Sequence, residues 1–289
     1  MTARRTALGS LLSVSLVLSA CGSLPPTPAN EVTLRPLITW GQPDAGEHPY
    51  VGTLLFVQQG EGYYSCSGTL LSPTVMLTAG HCLEGGGSEN DVTYVSFAEK
   101  PLETRAKYSS TAAWLAAEWI LASDVVPHPL YNDFAAFPNT YDIGVVVLSK
   151  PVSMATYGQL PPLNYFETTR QAQLKAQIFE PVGYGAQAWK PATSNKQIPD
   201  EYARYKATQQ FIGVGSSISG SQSVQFTNNP GRGGGGTCYG DSGGPIFLNN
   251  SSQLVAVTSF GIVANCKGND FAFRLDTQVA QDFLDPFLP

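Results

Sequence analysis

The chain has 289 residues, a net charge of −6 and only 13% charged residues. That length supports one large domain or two modest ones, with no need for the staples of a small protein. Without a cluster of Lys and Arg to neutralise phosphates, a nucleic-acid partner is excluded. The low charge, 29 Gly and 21 Pro suit an exported, loop-rich β protein.

The N-terminus reads as an export signal. Arg4 and Arg5 precede an apolar, Ser-rich core over 7–20. That core is shorter than the roughly 20 apolar residues of a spanning helix. It ends in "LVLSAC" (16–21), where Leu18-Ser19-Ala20-Cys21 resembles a bacterial lipobox. The expectation is a signal peptide over 1–21 with a lipid on Cys21, and so a cell-envelope lipoprotein held at the membrane. Ordinary signal cleavage nearby is the alternative. Residues 22–37 hold Pro25, Pro26, Pro28 and Pro36 without apolar periodicity and read as an extended tether or propeptide.

From Ile38 onward short apolar runs alternate with Gly, Pro, Asn and Ser turns. The runs 50–58, 68–71, 75–78, 92–97, 143–148, 211–214 and 254–262 predict strands of an all-β barrel or sandwich. "AAWLAAEWIL" (112–121) fits a helical turn as well as a strand. Val279, Phe283, Leu284 and Phe287 recur at near-helical spacing and predict a short C-terminal helix, bent before Pro286. The glycine runs at 85–87 and 233–236 read as loops, which leaves the acidic stretch 84–91 as a solvated loop rather than a calcium site.

One segment carries chemistry on its face: "GTCYGDSGGP" (236–245), with Ser242 in a glycine-rich turn. A serine hydroxyl attacks poorly unless a base lies in reach, a third group orients the base, and donors await the oxyanion. The chain has three histidines. His48 ("GEHPY") and His128 ("VVPHPLYN") each precede proline and read as turn or surface residues. His81, in "MLTAGHCLEG", follows an apolar strand and sits beside Cys82. Asp142, in "YDIGVVVL", directly precedes a buried run, where a charge is costly unless partnered; His81 is its natural partner.

"LTAGHC" (77–82), "YDIGVVVL" (141–148) and "GDSGGP" (240–245) stand in the order His, Asp, Ser. Together they resemble the trypsin/chymotrypsin family of serine proteases. "HPYVGTL" (48–54), "CSGTLLSPTVMLTAGHC" (66–82), "VVPHPLYN" (125–132), "VGYGA" (182–186) and "VTSFG" (257–261) extend the resemblance over about residues 38–289. It implies two antiparallel six-stranded β-barrels, about 38–155 and 156–275, followed by a helix at about 277–288. It implies a serine endopeptidase acting on protein or peptide substrates, taken as a monomer, that needs no cofactor and no metal.

The resemblance also assigns roles. Ser242 would be the nucleophile, His81 the base and later the acid, and Asp142 the group that holds the tautomer. The backbone N–H groups of Gly240 and Ser242 would form the oxyanion hole. Four cysteines remain once Cys21 is set aside, and they allow three connectivities. The family pattern implies Cys66–Cys82 and Cys238–Cys266. Activation would follow cleavage before Ile38, whose new amine would pair with Asp241. Two departures stand out: Thr39-Trp40 replaces the usual small residues, and Leu37 precedes the scissile bond. That cut would also release the domain from its anchor. Ser259, Phe260 and Gly261 would bind the substrate backbone.

Specificity is less direct. Trypsin-like pockets carry an acid six residues before the nucleophile; here Gly236 stands there, followed by Thr237. Taken alone this suggests an apolar primary preference. Asp270, however, falls where the family usually has a pocket-lining glycine. Two registers are open: Asp270 faces the pocket and binds a basic side chain, or it points to solvent. Two rival readings of the whole chain stand against this one. "GDSGG" also satisfies the G-x-S-x-G pattern of α/β-hydrolases, but no histidine follows Ser242 as that fold requires. A lipid-anchored binding protein with a silent protease fold is the other, and the intact His81, Asp142 and Ser242 weigh against it.

Overall fold

Fourteen strands and five short α-helices follow one another along the described part of the chain. The computed structural model describes residues 38–57, 63–84, 91–185, 201–218, 220–229, 234–263 and 265–288. The expected signal peptide, Cys21, the tether, Leu37, the glycine run 85–87 and Gly233 lie outside the described residues. In chain order the first half holds β1 (Gln42–Pro43), β2 (Val51–Val57), β3 (Tyr63–Leu70), β4 (Val75–Thr78), α1 (Gly80–Leu83), β5 (Val92–Ser96), α2 (Thr111–Glu118), β6 (Ile120–Pro127) and β7 (Gly144–Leu148). The second half holds α3 (Tyr165–Thr168), α4 (Gln171–Ala176), β8 (Phe179–Gly183), β9 (Tyr205–Lys206), β10 (Phe211–Val214), β11 (Ser223–Asn228), β12 (Pro245–Leu248), β13 (Leu254–Gly261), β14 (Gly268–Arg274) and α5 (Gln278–Leu284).

Six strands close a barrel in the order β2-β3-β4-β7-β6-β5, antiparallel throughout. β4 (VMLT) and β7 (GVVVL) are short and rich in Val, Leu and Thr, which suit a pleated, buried surface. Val75 pairs with Val147 and Leu77 with Val145. The second unit is a half-barrel sheet ordered β1-β9-β8-β12-β13-β14-β11-β10. It departs from the expected six strands in a specific way. The six longer strands β8 and β10–β14 are joined at the β8 edge by two two-residue strands, β9 and β1. β1 belongs to the N-terminal segment, so the sheet extends by taking up that segment. Phe166, Phe179, Phe211 and Phe226 fill its core, with Phe179 and Phe226 centred 4.9 Å apart.

The ambiguous segment 112–121 divides between both readings. Ser110 accepts a 3.1 Å hydrogen bond from the Ala113 N–H and caps α2. Trp119 turns the chain extended, and β6 begins at Ile120. Trp114 and Trp119 are both buried, edge to face at 5.3 Å, over Leu55. At the C-terminus α5 passes into a 3₁₀ turn over Asp285–Phe287, with Pro286 at its start.

Two histidines sit differently from the sequence expectation. His48 is only 4% exposed and His128 8%. Turn-forming prolines follow both, but long-range partners close over them. His48 lies between two carboxylates: its Nδ1 is 2.5 Å from Asp44 Oδ1 and its Nε2 is 3.3 Å from Glu180 Oε1. Arg204 donates through Nε to Asp44 Oδ2 at 2.8 Å and through another nitrogen to the Val51 carbonyl at 3.1 Å. Lys206 completes the group, 2.5 Å from Glu47 and 3.4 Å from Glu180. This ionic clasp ties the N-terminal segment to β8 and β9. Burial would raise the Asp44 carboxyl, but the His48 hydrogen bond and the Arg204 charge together hold it at about 2. His128 stacks on Tyr141 at 5.1 Å and accepts the Leu130 N–H at its Nδ1; burial lowers its pKa and keeps it neutral.

Candidate active site

β4 delivers the chain into α1, and the one-turn helix carries His81 on the barrel rim. Asp142 lies just before β7, the strand that pairs with β4, so the two side chains meet across one ladder. The His81 N–H donates to Asp142 Oδ1 at 2.8 Å, and the ring Nδ1 lies 2.9 Å from Oδ2 and 3.1 Å from Oδ1. Asp142 is fully buried. A second donor holds it: the Ser259 hydroxyl bonds to Oδ2. β13 shifts register between Thr258 and Phe260, and such an irregularity re-aims a side chain; here the residue at the shift is Ser259. Burial pulls the His81 pKa down, but the Asp142 charge and hydrogen bond, with the Glu84 charge, outweigh it and leave it above its ordinary value. With Nδ1 tied to Asp142, Nε2 is the nitrogen left for proton transfer.

Ser242 sits in the turn between Cys238 and β12. Its backbone carbonyl accepts the Ser67 N–H of β3 at 2.8 Å. Gly240 has φ +94° and Gly243 φ +78°, conformations that L side chains rarely adopt. At Gly243 a Cβ would lie 2.0 Å from the Thr78 hydroxyl oxygen, so β4 and the nucleophile turn touch through a glycine. Among the described residues, the Asp241, Gly243 and Gly244 N–H groups have internal acceptors, whereas those of Gly240 and Ser242 have none. Two donors without acceptors, one on the serine itself and one two residues before it, are what an oxyanion requires. His81 and Ser242 line one cavity of about 420 Å³ together with Thr237, Ser259, Phe260 and Asp270.

Both expected disulfides are present. Cys66–Cys82 joins β3 to the helix bearing His81, and Cys238–Cys266 joins the nucleophile turn to the loop before β14. The tightest grouping of metal-binding atom types among the described residues is Cys66, His81 and Cys82, but its two sulfurs are bonded to each other and offer no thiolate.

Asp270 is in a strand, not a loop. β14 pairs it with Phe226 of β11 and Gly261 of β13, and this double register turns its side chain to the cavity. It is 4% exposed. The Thr237 N–H donates to Oδ2 at 2.7 Å, Gln209 Nε2 donates to the same oxygen, and Asn228 Nδ2 donates to Oδ1 at 2.9 Å. Burial raises its pKa to about 6, against these donors. Gly236, expected in the pocket, does not line this cavity, which begins at Thr237, and has no room for a side chain: a Cβ there would lie 2.0 Å from Asn228 Cγ. Sequence reasoning missed Asn228 and Gln209, since neither stands in a motif; the single hint was that Gly236 must make room for something.

Asp241 is 1% exposed and sits against Gly183 and Gly185, where any Cβ would strike its carboxylate. The Gly185 N–H donates to Oδ1 at 2.7 Å and the Cys238 N–H to Oδ2 at 2.9 Å. Burial raises its pKa to about 8, and no cation is among the groups that act on it. Ile38 is fully buried with Ala203, Tyr205 and Ala207, and Thr39 bridges Gly236 with backbone bonds of 2.9 and 3.1 Å. Phe260 and Gly261 extend β13 past the reach of β12, whose pairing ends at Val257. One side of this stretch faces the cavity, where an extended peptide can add as a strand. Phe260 stacks on Phe271 at 4.8 Å and meets Phe134 edge to face at 5.8 Å, giving the cleft an aromatic side next to His81.

Known proteins are similar to this chain. The family model described as Trypsin matches residues 38–284. Serine protease 1 of Drosophila melanogaster is 26% identical over 251 residues, covering 84% of this chain and 82% of the relative. Brachyurin of Leptuca pugilator is 29% identical over 208 residues, covering 71% and 79%. Trypsin of Saccharopolyspora erythraea is 27% identical over 228 residues, covering 74% and 82%. A solved structure titled HL collagenase superposes with a TM-score of 0.62 at 17% identity, covering 86% of this chain and 98% of the other; at that identity it speaks for the fold.

Proposed function

The chain belongs to the trypsin family of serine proteases and is a serine endopeptidase, and from that premise we propose that it cuts peptide bonds after basic residues through an acyl-enzyme on Ser242. One observation carries the reading: a single cavity brings together Ser242, a His81 locked to Asp142, and the buried carboxylate of Asp270. Ser242 Oγ attacks the scissile carbonyl as His81 Nε2 takes its proton. The Gly240 and Ser242 N–H groups take the oxyanion; losing one such donor typically costs about 3 kcal/mol of transition-state stabilisation. His81 returns the proton to the leaving amine, and water repeats the sequence to free the acid. Asp142, held by Ser259, keeps the tautomer and offsets the imidazolium charge. A Lys or Arg side chain of the substrate reaches Asp270 from the cavity.

The reading includes activation. Cleavage at Leu37–Ile38 would give Ile38 an amine for Asp241. The support is a carboxylate buried among neutral donors and a Thr39 already bridged to Gly236. It includes an anchor as well. The two disulfides consume four of the five cysteines, which leaves Cys21, in its lipobox-like sequence, for lipid. The enzyme would then act at the cell envelope until the activating cut freed it.

The test is covalent labelling with a fluorophosphonate, followed by peptide mapping and N-terminal sequencing. The expected adduct is on Ser242, absent in Ser242→Ala, in protein that begins at Ile38. Failure to label an otherwise folded protein would leave the silent binding protein as the better account.

A further inference from the structure

Thr39 is a departure from the family's small residues that the catalytic reading leaves unused. It is 2% exposed, and its hydroxyl donates to Asn228 Oδ1 at 3.1 Å, with the Gly236 carbonyl at the same distance. Asn228 ends β11 and is 1% exposed. Its two amide hydrogens go to the Thr237 carbonyl at 3.0 Å and to Asp270 Oδ1 at 2.9 Å. A carbonyl and a carboxylate only accept, so the amide is oriented: turned over, Asn228 Oδ1 would face two acceptors and its NH₂ would lose both. The side chain fills the space a residue larger than glycine would need at 236. One amide therefore touches the N-terminal segment at Thr39, the Thr237 carbonyl and the Asp270 carboxylate at once.

We propose that Asn228 is a positioning residue for substrate selection, carrying the seating of Ile38 and Thr39 through its amide to the carboxylate of Asp270. This rests on the reading that Asp270 receives a basic substrate side chain. Without the segment in this place, Asn228 would lack the Thr39 hydroxyl and Gly236 its two backbone bonds to Thr39. After seating, the carboxylate is held by Asn228 on one oxygen and by Thr237 and Gln209 on the other. The pocket then presents its charge in one orientation. Seating of the segment thus acts on selectivity through a side-chain relay that does not involve Asp241.

The test uses the full chain in its active form and two peptide substrates that differ only in Arg or Phe at the cleaved position. Thr39→Val removes the hydroxyl and keeps the shape; Asn228→Leu removes the amide at similar volume. Thr39→Val should lower kcat/KM for the Arg peptide about fivefold and Asn228→Leu about tenfold or more, chiefly through KM, with the Phe peptide changed less than about twofold. Thr39→Ser should restore the wild-type ratio. Combining Thr39→Val with Asn228→Leu should add nothing to Asn228→Leu alone. Equal losses for both peptides, or no change in their ratio with Thr39→Val, overturn the proposal, and Thr39→Val decides it if Asn228→Leu does not fold. Asp270→Ala separates the layers: if it abolishes the Arg preference while Thr39→Val and Asn228→Leu leave it intact, only the relay fails. If Asp270→Ala leaves the preference unchanged, the basic-pocket reading falls and the relay with it.

Discussion

The buried acids of this chain are of two kinds: those paired with a cation, as Asp142, Asp44 and Asp276 are, and those with none, Asp241 and Asp270. Asp142 has His81, and Asp44 on the N-terminal segment has Arg204 and His48: each meets its cation within the chain. Asp241 and Asp270 are as deeply buried, yet every partner of theirs among the described residues is a neutral donor. Burial pushes these two carboxyls up to about 8 and about 6, while it fails to raise Asp44. A charge removed from water costs several kcal/mol unless it is paired. On the proposed function, the His81–Asp142 pair is set before any substrate arrives, and the two uncompensated acids each receive a cation from outside: a new N-terminal amine for Asp241, a substrate side chain for Asp270.

The largest effect should come from breaking a completed pair. Asp142→Asn should lower kcat by roughly 10⁴, the loss known for the Ser-His-Asp template of this family. It should also move the acid limb of the kcat/KM profile down, because the Asp142 charge helps hold the His81 pKa above its ordinary value. In the wild-type enzyme that limb should lie above about pH 6.5; a limb that does not move in Asp142→Asn would break the link between the two residues. Next, Asp270→Asn should cost about 10² in kcat/KM for an Arg substrate and little for Phe, measured on matched peptides. Arg204→Ala should leave Asp44 and His48 without their guanidinium and destabilise the fold by about 3 kcal/mol or more by chemical denaturation.

The boxes around His81, Asp142 and Ser242 were legible because each is a short local motif whose glycines and apolar neighbours answer to the turn that holds the catalytic residue. Gly243, for example, must pass 2.0 Å from Thr78 where a Cβ would stand. β4 was legible to the residue, since its four apolar or branched residues end at the "AGHC" turn. The side of Asp270 was not legible, because β11 and β13 set its register from distant parts of the chain. His48 misled for the same reason: the proline after it describes a turn, while Glu180 and Phe247, far along the chain, bury its ring. The strand β6 was hidden behind the Ala- and Trp-containing helix α2 that runs into it.

Two smaller effects sharpen the contrast. Folded Asp241 holds its proton up to about pH 8, against about 4 when unfolded. The folded state therefore binds the extra proton across that window, and the stability of the uncut chain should fall as pH rises through it. Thermal melts of Asp241→Asn should lose that slope, and so should melts of chain cut before Ile38. If cut and uncut chains show the same slope, the amine does not reach Asp241. Smallest of all, Ser110→Ala should cost about 1 kcal/mol through the lost cap of α2 and leave kcat/KM unchanged, since that helix lies in neither group of acids.

The most direct measurement is the ratio of kcat/KM for Arg over Phe peptides, taken on active enzyme from about pH 5 to about pH 8. Ionisation of His81 affects both substrates and cancels in the ratio. If Asp270 waits for the substrate's cation, the ratio favours Arg and rises through about pH 6 as its carboxyl ionises. A ratio that stays flat, or that favours Phe throughout, contradicts the account.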